Sequence, residues 1–206
     1  MLTIKQRQEY LKYLGLYKDD KGNDAKIDGI EGRFTKRGYK LLQDKYFARK
    51  SDRDGLYGRN TDMLLVNAYN VKKYTKNFTL QEFKCGCKNK YCTGYPNYLN
   101  INLLKNLQTM RNNYGSITIT SPLRCERHNS SIGGVAGSYH TKGKALDLYN
   151  AKFSASFTNR KYAIEKWLLL PCSNMAYQNG YMHYKGKSAT GYKAPNMGNV
   201  IHVQVG

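Results

Sequence analysis

The run Ser138-Tyr139-His140-Thr141-Lys142-Gly143-Lys144-Ala145-Leu146-Asp147 carries an imidazole and a carboxylate too far apart for one helix face. It predicts a turn, allowed by Gly143, that feeds a strand. Along that strand Leu146 and Leu148 point one way, Ala145 and Asp147 the other, and small Ala145 leaves room for an ion. Near the end of the chain Ile201, Val203 and Val205 take one face of a second strand. His202 shares the other face with Val200 and Gln204. Two imidazoles and one carboxylate can hold Zn²⁺ on three corners and leave the fourth to water. Spacing alone does not separate this from hydrogen-bonded structure, the commoner fate of a lone strand histidine.

A second set is Cys85, Cys87, Cys92, Cys125 and Cys172. An odd number, behind an N-terminus too polar for a signal peptide, argues for reduced thiols rather than a disulfide framework. Cys125 could join the first three in a four-thiolate zinc site. Their spacing is not that of paired CxxC knuckles, so small buried hydrophobes are the expectation. One disulfide and a second, cysteine-bound zinc are the alternatives.

Several elements must position these groups. Asp28-Gly29-Ile30-Glu31-Gly32-Arg33-Phe34-Thr35 returns 26 positions later as Asp54-Gly55-Leu56-Tyr57-Gly58-Arg59-Asn60-Thr61. Each copy reads as a tight turn, with Thr35 or Thr61 placed to cap the next helix. Tyr10 and Leu11, then Leu42 and Tyr46, then Leu64 and Leu65 carry helical periodicity, so residues 1–70 form a small three-helix bundle. Residues 71–77 read as a linker. Residues 78–206 read as an α+β domain with a helix from about Asn102, a strand at Ile117–Thr120, a helix over 160–170 with Tyr162, Ile164 and Trp167 inward, and a closing strand at Val200–Val205.

Two resemblances rest on these motifs. Leu11–Gly15, the doubled DGxxGxxT turn and Leu42-Gln43 resemble the peptidoglycan-binding module attached to many wall hydrolases. Ser121-Pro122-Leu123-Arg124-Cys125, His128-Asn129, Gly133-Gly134, the SxHxxGxAxD run and Val200-Ile201-His202-Val203 resemble the zinc peptidases that include D-alanyl-D-alanine carboxypeptidases and phage L-alanyl-D-glutamate endopeptidases. The Phe78–Phe83 lead-in and its cysteines fit one branch of them. The resemblance implies His140, Asp147 and His202 as metal ligands and Arg124 at the substrate site, where a permanent planar cation suits a carboxylate or an oxyanion. Ser138 would line the substrate pocket or cap a turn. His128 would shape its loop.

The proton acceptor departs from the pattern. Asn199 stands where relatives place an acid, Gln204 where many have Asp, and neither amide takes a proton at neutral pH. His183, in Tyr181-Met182-His183-Tyr184, is the expected base, with Glu126 as the acidic fallback.

Charge and hydropathy bound the rest. The 34 Lys+Arg against 14 Asp+Glu give a formal +20, a field that attracts polyanions. From residue 77 onward Glu82, Glu126, Asp147 and Glu165 are the only carboxylate side chains, against sixteen Lys and Arg. Nucleic-acid recognition motifs are absent, so peptidoglycan and anionic wall polymers are the expected partners. No run spans a bilayer, since Trp167–Leu170 ends at Pro171. The expectation is a monomeric, bacteriolytic phage endolysin, made in the cytoplasm without a signal peptide and acting on the wall after release. The alternative is a catalytically degenerate, zinc-containing wall-binding protein.

Overall fold

Helix α1 (Ile4–Leu14) starts where Thr3 and Gln6 cap each other and stops at Gly15, whose φ of 80° suits glycine. Helices α2 (Arg33–Tyr46) and α3 (Arg59–Tyr74) come after the two Asp-Gly turns. The computed structural model describes residues 1–187 and 195–206 of the chain.

A buried glutamine clasps each turn. Gln8 Oε1 accepts the Gly29 N–H at 2.8 Å, and its amide donates to Asp28 Oδ1 at 2.7 Å. Gln43 Oε1 accepts the Gly55 N–H at 2.7 Å, and its amide donates to Asp54 Oδ1 at 3.1 Å. The expected threonine caps are corrected. Gly32 and Gly58 occupy the cap positions, while Thr35 and Thr61 lie within the first helical turns and donate back to the carbonyls of Ile30 and Leu56.

Helix α3 continues through Tyr74 because Val71 is buried, which leaves Thr75–Asn77 outside regular structure. The helices share one continuous hydrophobic core with the rest of the chain, from Leu11 to Val205. Asn67 stitches the two parts together: its amide donates to Asn97 O at 2.9 Å, and its oxygen accepts the Leu99 N–H at 2.8 Å.

The remainder is α+β, as expected. Helix α4 (Ile101–Tyr114) is capped by Asn100. Strand β1 (Thr118–Ser121), helix α5 (Glu126–Ser131), strand β2 (Ala145–Tyr149), and helices α6 (Ala151–Ser154) and α7 (Phe157–Leu168) come next. Strands β3 (Ser173–Gln178), β4 (Tyr181–Tyr184) and β5 (Ile201–Val205) complete an antiparallel sheet in the order β1-β2-β5-β3-β4. Helix α7 packs on β3, β4 and β5 and buries Ala163, Ile164 and Trp167, whose indole donates to Gln204 O at 3.1 Å. Tyr162, expected inward, is 54% exposed, because the inward stripe begins one residue later. The sheet's other face carries the site.

Candidate metal centre

Register brings the ligands together. Asp147 on β2 pairs with His202 on β5, and Tyr177 on β3 pairs with His202 from the other side. His140 reaches the same point from the turn before β2. Gly143 makes that turn at φ 68°, where a side chain would collide with the backbone of Tyr98.

Three donor atoms converge. His202 Nδ1 lies 2.8 Å from Asp147 Oδ1, His140 Nε2 lies 3.3 Å from the same oxygen, and the two ring nitrogens are 3.3 Å apart. A tetrahedral zinc with bonds near 2.0–2.1 Å spaces its ligands about 3.3 Å apart.

The outer nitrogens fix the tautomers. His140 Nδ1 is 3.0 Å from Pro122 O, and His202 Nε2 is 3.1 Å from Gln204 Oε1. Both oxygens are placed to accept from the outer nitrogens, the tautomer in which each inner nitrogen presents a lone pair to a metal. Two lone pairs and a carboxylate oxygen thus face one another, nearly sealed from solvent. A cation among them would hold all three, and the donor set fits zinc.

Protonation agrees. Burial pushes the pKa of His140 below its usual 6.5, against the pull of Asp147. Burial alone would raise Asp147, but the two imidazoles beside it favour its ionised form and hold it well below the usual carboxylate range. A neutral imidazole and an ionised carboxylate are the forms a metal needs.

Arg124 lies at the edge of this set. Its Nη2 donates to Asp147 Oδ2 at 3.2 Å and to Ser121 Oγ at 2.6 Å, and Nε donates to Ser121 Oγ at 3.0 Å. Its backbone N–H donates to His140 O at 3.3 Å. The guanidinium is therefore braced against the carboxylate that faces the histidines.

Above the triad opens a cavity of about 700 Å³. Arg124, Ser138, Tyr139, Tyr177 and Gln204 line it, together with Met175, Met182 and Tyr184. Ser138 lines the cavity, and its backbone carbonyl accepts the Thr141 N–H at 3.0 Å.

Residues 76–166 match the Peptidase M15 family. The M15 match covers rather less than half of the chain and contains Arg124, His140 and Asp147. His202 falls beyond it, so its membership of the site rests on the fold. The M15 match supports the resemblance to zinc D-alanyl-D-alanine carboxypeptidase-type enzymes, hydrolases that depend on zinc. No curated protein matches the chain.

His183 is not brought to the ligands. Strand alternation points Met182 and Tyr184 into the cavity and turns Tyr181 and His183 towards α7, where the Tyr181 hydroxyl and His183 Nδ1 lie 2.7 Å apart. His183 is therefore outside the cavity lining. Glu126 is exposed at the start of α5 and outside the cavity lining. The His128 ring abuts Gly86 in the cysteine segment.

One contributor was not read from the sequence. Tyr177 stacks on His202, ring centroids 4.4 Å apart and planes 15° from parallel. Gln204, expected on the same strand face as His202, also contacts its Nε2. Asn179-Gly180 between two alternating stretches is a two-residue hairpin signal that marks β3 and β4, and with them Tyr177.

Proposed function

We propose that this chain is a zinc peptidase that hydrolyses peptide bonds in the stem peptides of bacterial peptidoglycan, at D-Ala-D-Ala or L-Ala-D-Glu. The observation that carries the reading is the inward-facing His140–Asp147–His202 set beneath an open cavity, with Arg124 beside it. When bound, zinc would supply a Lewis acid that polarises a carbonyl and acidifies a water. His140 and His202 hold their lone pairs inward through Pro122 and Gln204. Arg124 supplies fixed positive charge for a substrate carboxylate or a developing oxyanion. Met175, Met182 and Tyr177 give the cavity apolar walls suited to alanine methyl groups.

The N-terminal helices fit a wall-binding role that raises local concentration on the polymer, and the +20 charge fits attraction to anionic wall polymers. Among the described residues no helix is long and apolar enough to cross a membrane. A monomeric phage endolysin is the setting we propose.

One observation favours a second reading, a wall-binding protein without turnover. Asp147 is the only carboxylate lining the cavity among the described residues, and it already faces both histidines. Purified sacculi treated with the zinc-loaded chain separate the two. Hydrolysis predicts new amino termini or free alanine, lost with chelator and restored by zinc, and fragment masses name the bond. Sacculus binding with no released product would favour the second reading.

A further inference from the structure

We propose that Cys85, Cys87, Cys92 and Cys125 hold a second, structural zinc ion. Their four sulfurs all lie within 4.8 Å of one another, with Cys87 and Cys92 Sγ 3.5 Å apart. A zinc bonded at about 2.3 Å to four sulfurs spaces them about 3.8 Å apart.

Burial alone does not account for the cluster. Cys85, Cys87 and Cys125 form a small patch separate from the main core, joined by Tyr91 and Cys92 and by no aliphatic side chain. The segment between Lys84 and Asn100 has neither helix nor strand. Within it Lys88 and Asn89, consecutive non-glycine residues, both take left-handed φ values, 51° and 63°. Such a loop needs a tie, and the patch is too small to supply one by hydrophobic burial.

The sulfurs are also surrounded as thiolate ligands are. The Cys125 N–H donates to Cys85 Sγ at 3.3 Å and the Gly94 N–H to Cys92 Sγ at 3.4 Å. Backbone donors aimed at sulfur favour negative charge there. Two disulfides would neutralise the sulfurs these donors face. All-sulfur surroundings select zinc over magnesium or calcium.

The position gives the ion a task. Cys125 caps α5 and comes directly after Arg124, whereas the other three cysteines lie on the loop ahead of α4. One ion would pin that loop to the segment carrying the guanidinium that meets Asp147.

Native mass spectrometry of the zinc-loaded full chain tests the site apart from the His140–Asp147–His202 reading. Two zinc ions are expected, with Cys87→Ser losing one and His202→Ala losing the other. Cobalt substitution should give sulfur-to-cobalt charge-transfer bands that survive H202A and vanish in C87S. Should C87S fail to fold, thiol titration of the parent chain decides: exposed Cys172 should react at once, and the other four only as one zinc ion is released. Four thiols reacting as fast as Cys172 with no zinc released, a mass lowered by disulfide formation, or iron in place of zinc would overturn the proposal.

Discussion

Asp147 and His202 face each other across the β2–β5 ladder, and Asp147 Oδ1 lies 2.8 Å from His202 Nδ1. The pairing depends on register, because a slip of one residue in either strand turns one of them to the opposite face of the sheet. Leu146 and Leu148 on β2, with Ile201 and Val203 on β5, are fully buried on that opposite face and lock the register.

Gln204 holds His202 in the tautomer that leaves Nδ1 free. Replacing it with Leu, close in size, should leave the fold intact and weaken zinc binding about 10–100-fold, the usual cost of losing a ligand's outer partner. Competition against a chromogenic chelator measures this. Unchanged affinity would mean that Gln204 does not set the tautomer.

Arg124 reaches Asp147 and Ser121 with a planar fork that lysine lacks. We expect Arg124→Lys to retain its zinc but to lose about 10²–10³-fold in release of product from sacculi, as for removal of an oxyanion donor. Equal loss of zinc and activity would assign the arginine to holding the site rather than to substrate.

His183 shares its side of the sheet with Tyr181, whose hydroxyl lies 2.7 Å from its Nδ1. Removing a general base costs about 10²–10⁴-fold, so His183→Ala should instead stay within about threefold of the parent rate. A loss in the former range would restore it as the base.

Asp62 ties the N-terminal helices to the α+β part of the chain: it accepts the Leu2 N–H at 2.9 Å and the hydroxyls of Tyr57 and Tyr98. Burial raises its pKa, but these donors outweigh that and lower it from 3.8. A carboxylate depressed in the fold adds stability above its unfolded pKa and loses it as pH falls through the folded value. Asp62→Asn should therefore cost about 1–3 kcal/mol at neutral pH. The gap to the parent should close as pH drops below 3.8. A gap independent of pH in denaturant unfolding would remove the charge from the explanation.

Where periodicity and turn chemistry act locally, the sequence was readable. The Asp-Gly turns, the α4 stripe, the alternation around Asp147 and His202, and the need for Gly143 are all set by neighbours in the chain. What lay out of reach depends on partners distant in sequence. Gln8 clasps Asp28 and Gln43 clasps Asp54 at different separations, so no fixed spacing announces either contact. The true orientation of His183 needed the β4 alternation, and that strand was missed despite Asn179-Gly180. The cysteines deviate from common zinc spacing because Cys125 arrives from another element.

A crystal of the zinc-loaded chain, measured across the zinc absorption edge, tests the central claim most directly. The account predicts an anomalous peak about 2 Å from His140 Nε2, His202 Nδ1 and Asp147 Oδ1, with no fourth protein atom bound. No peak at that point, or one closed off by a fourth protein ligand, would contradict it.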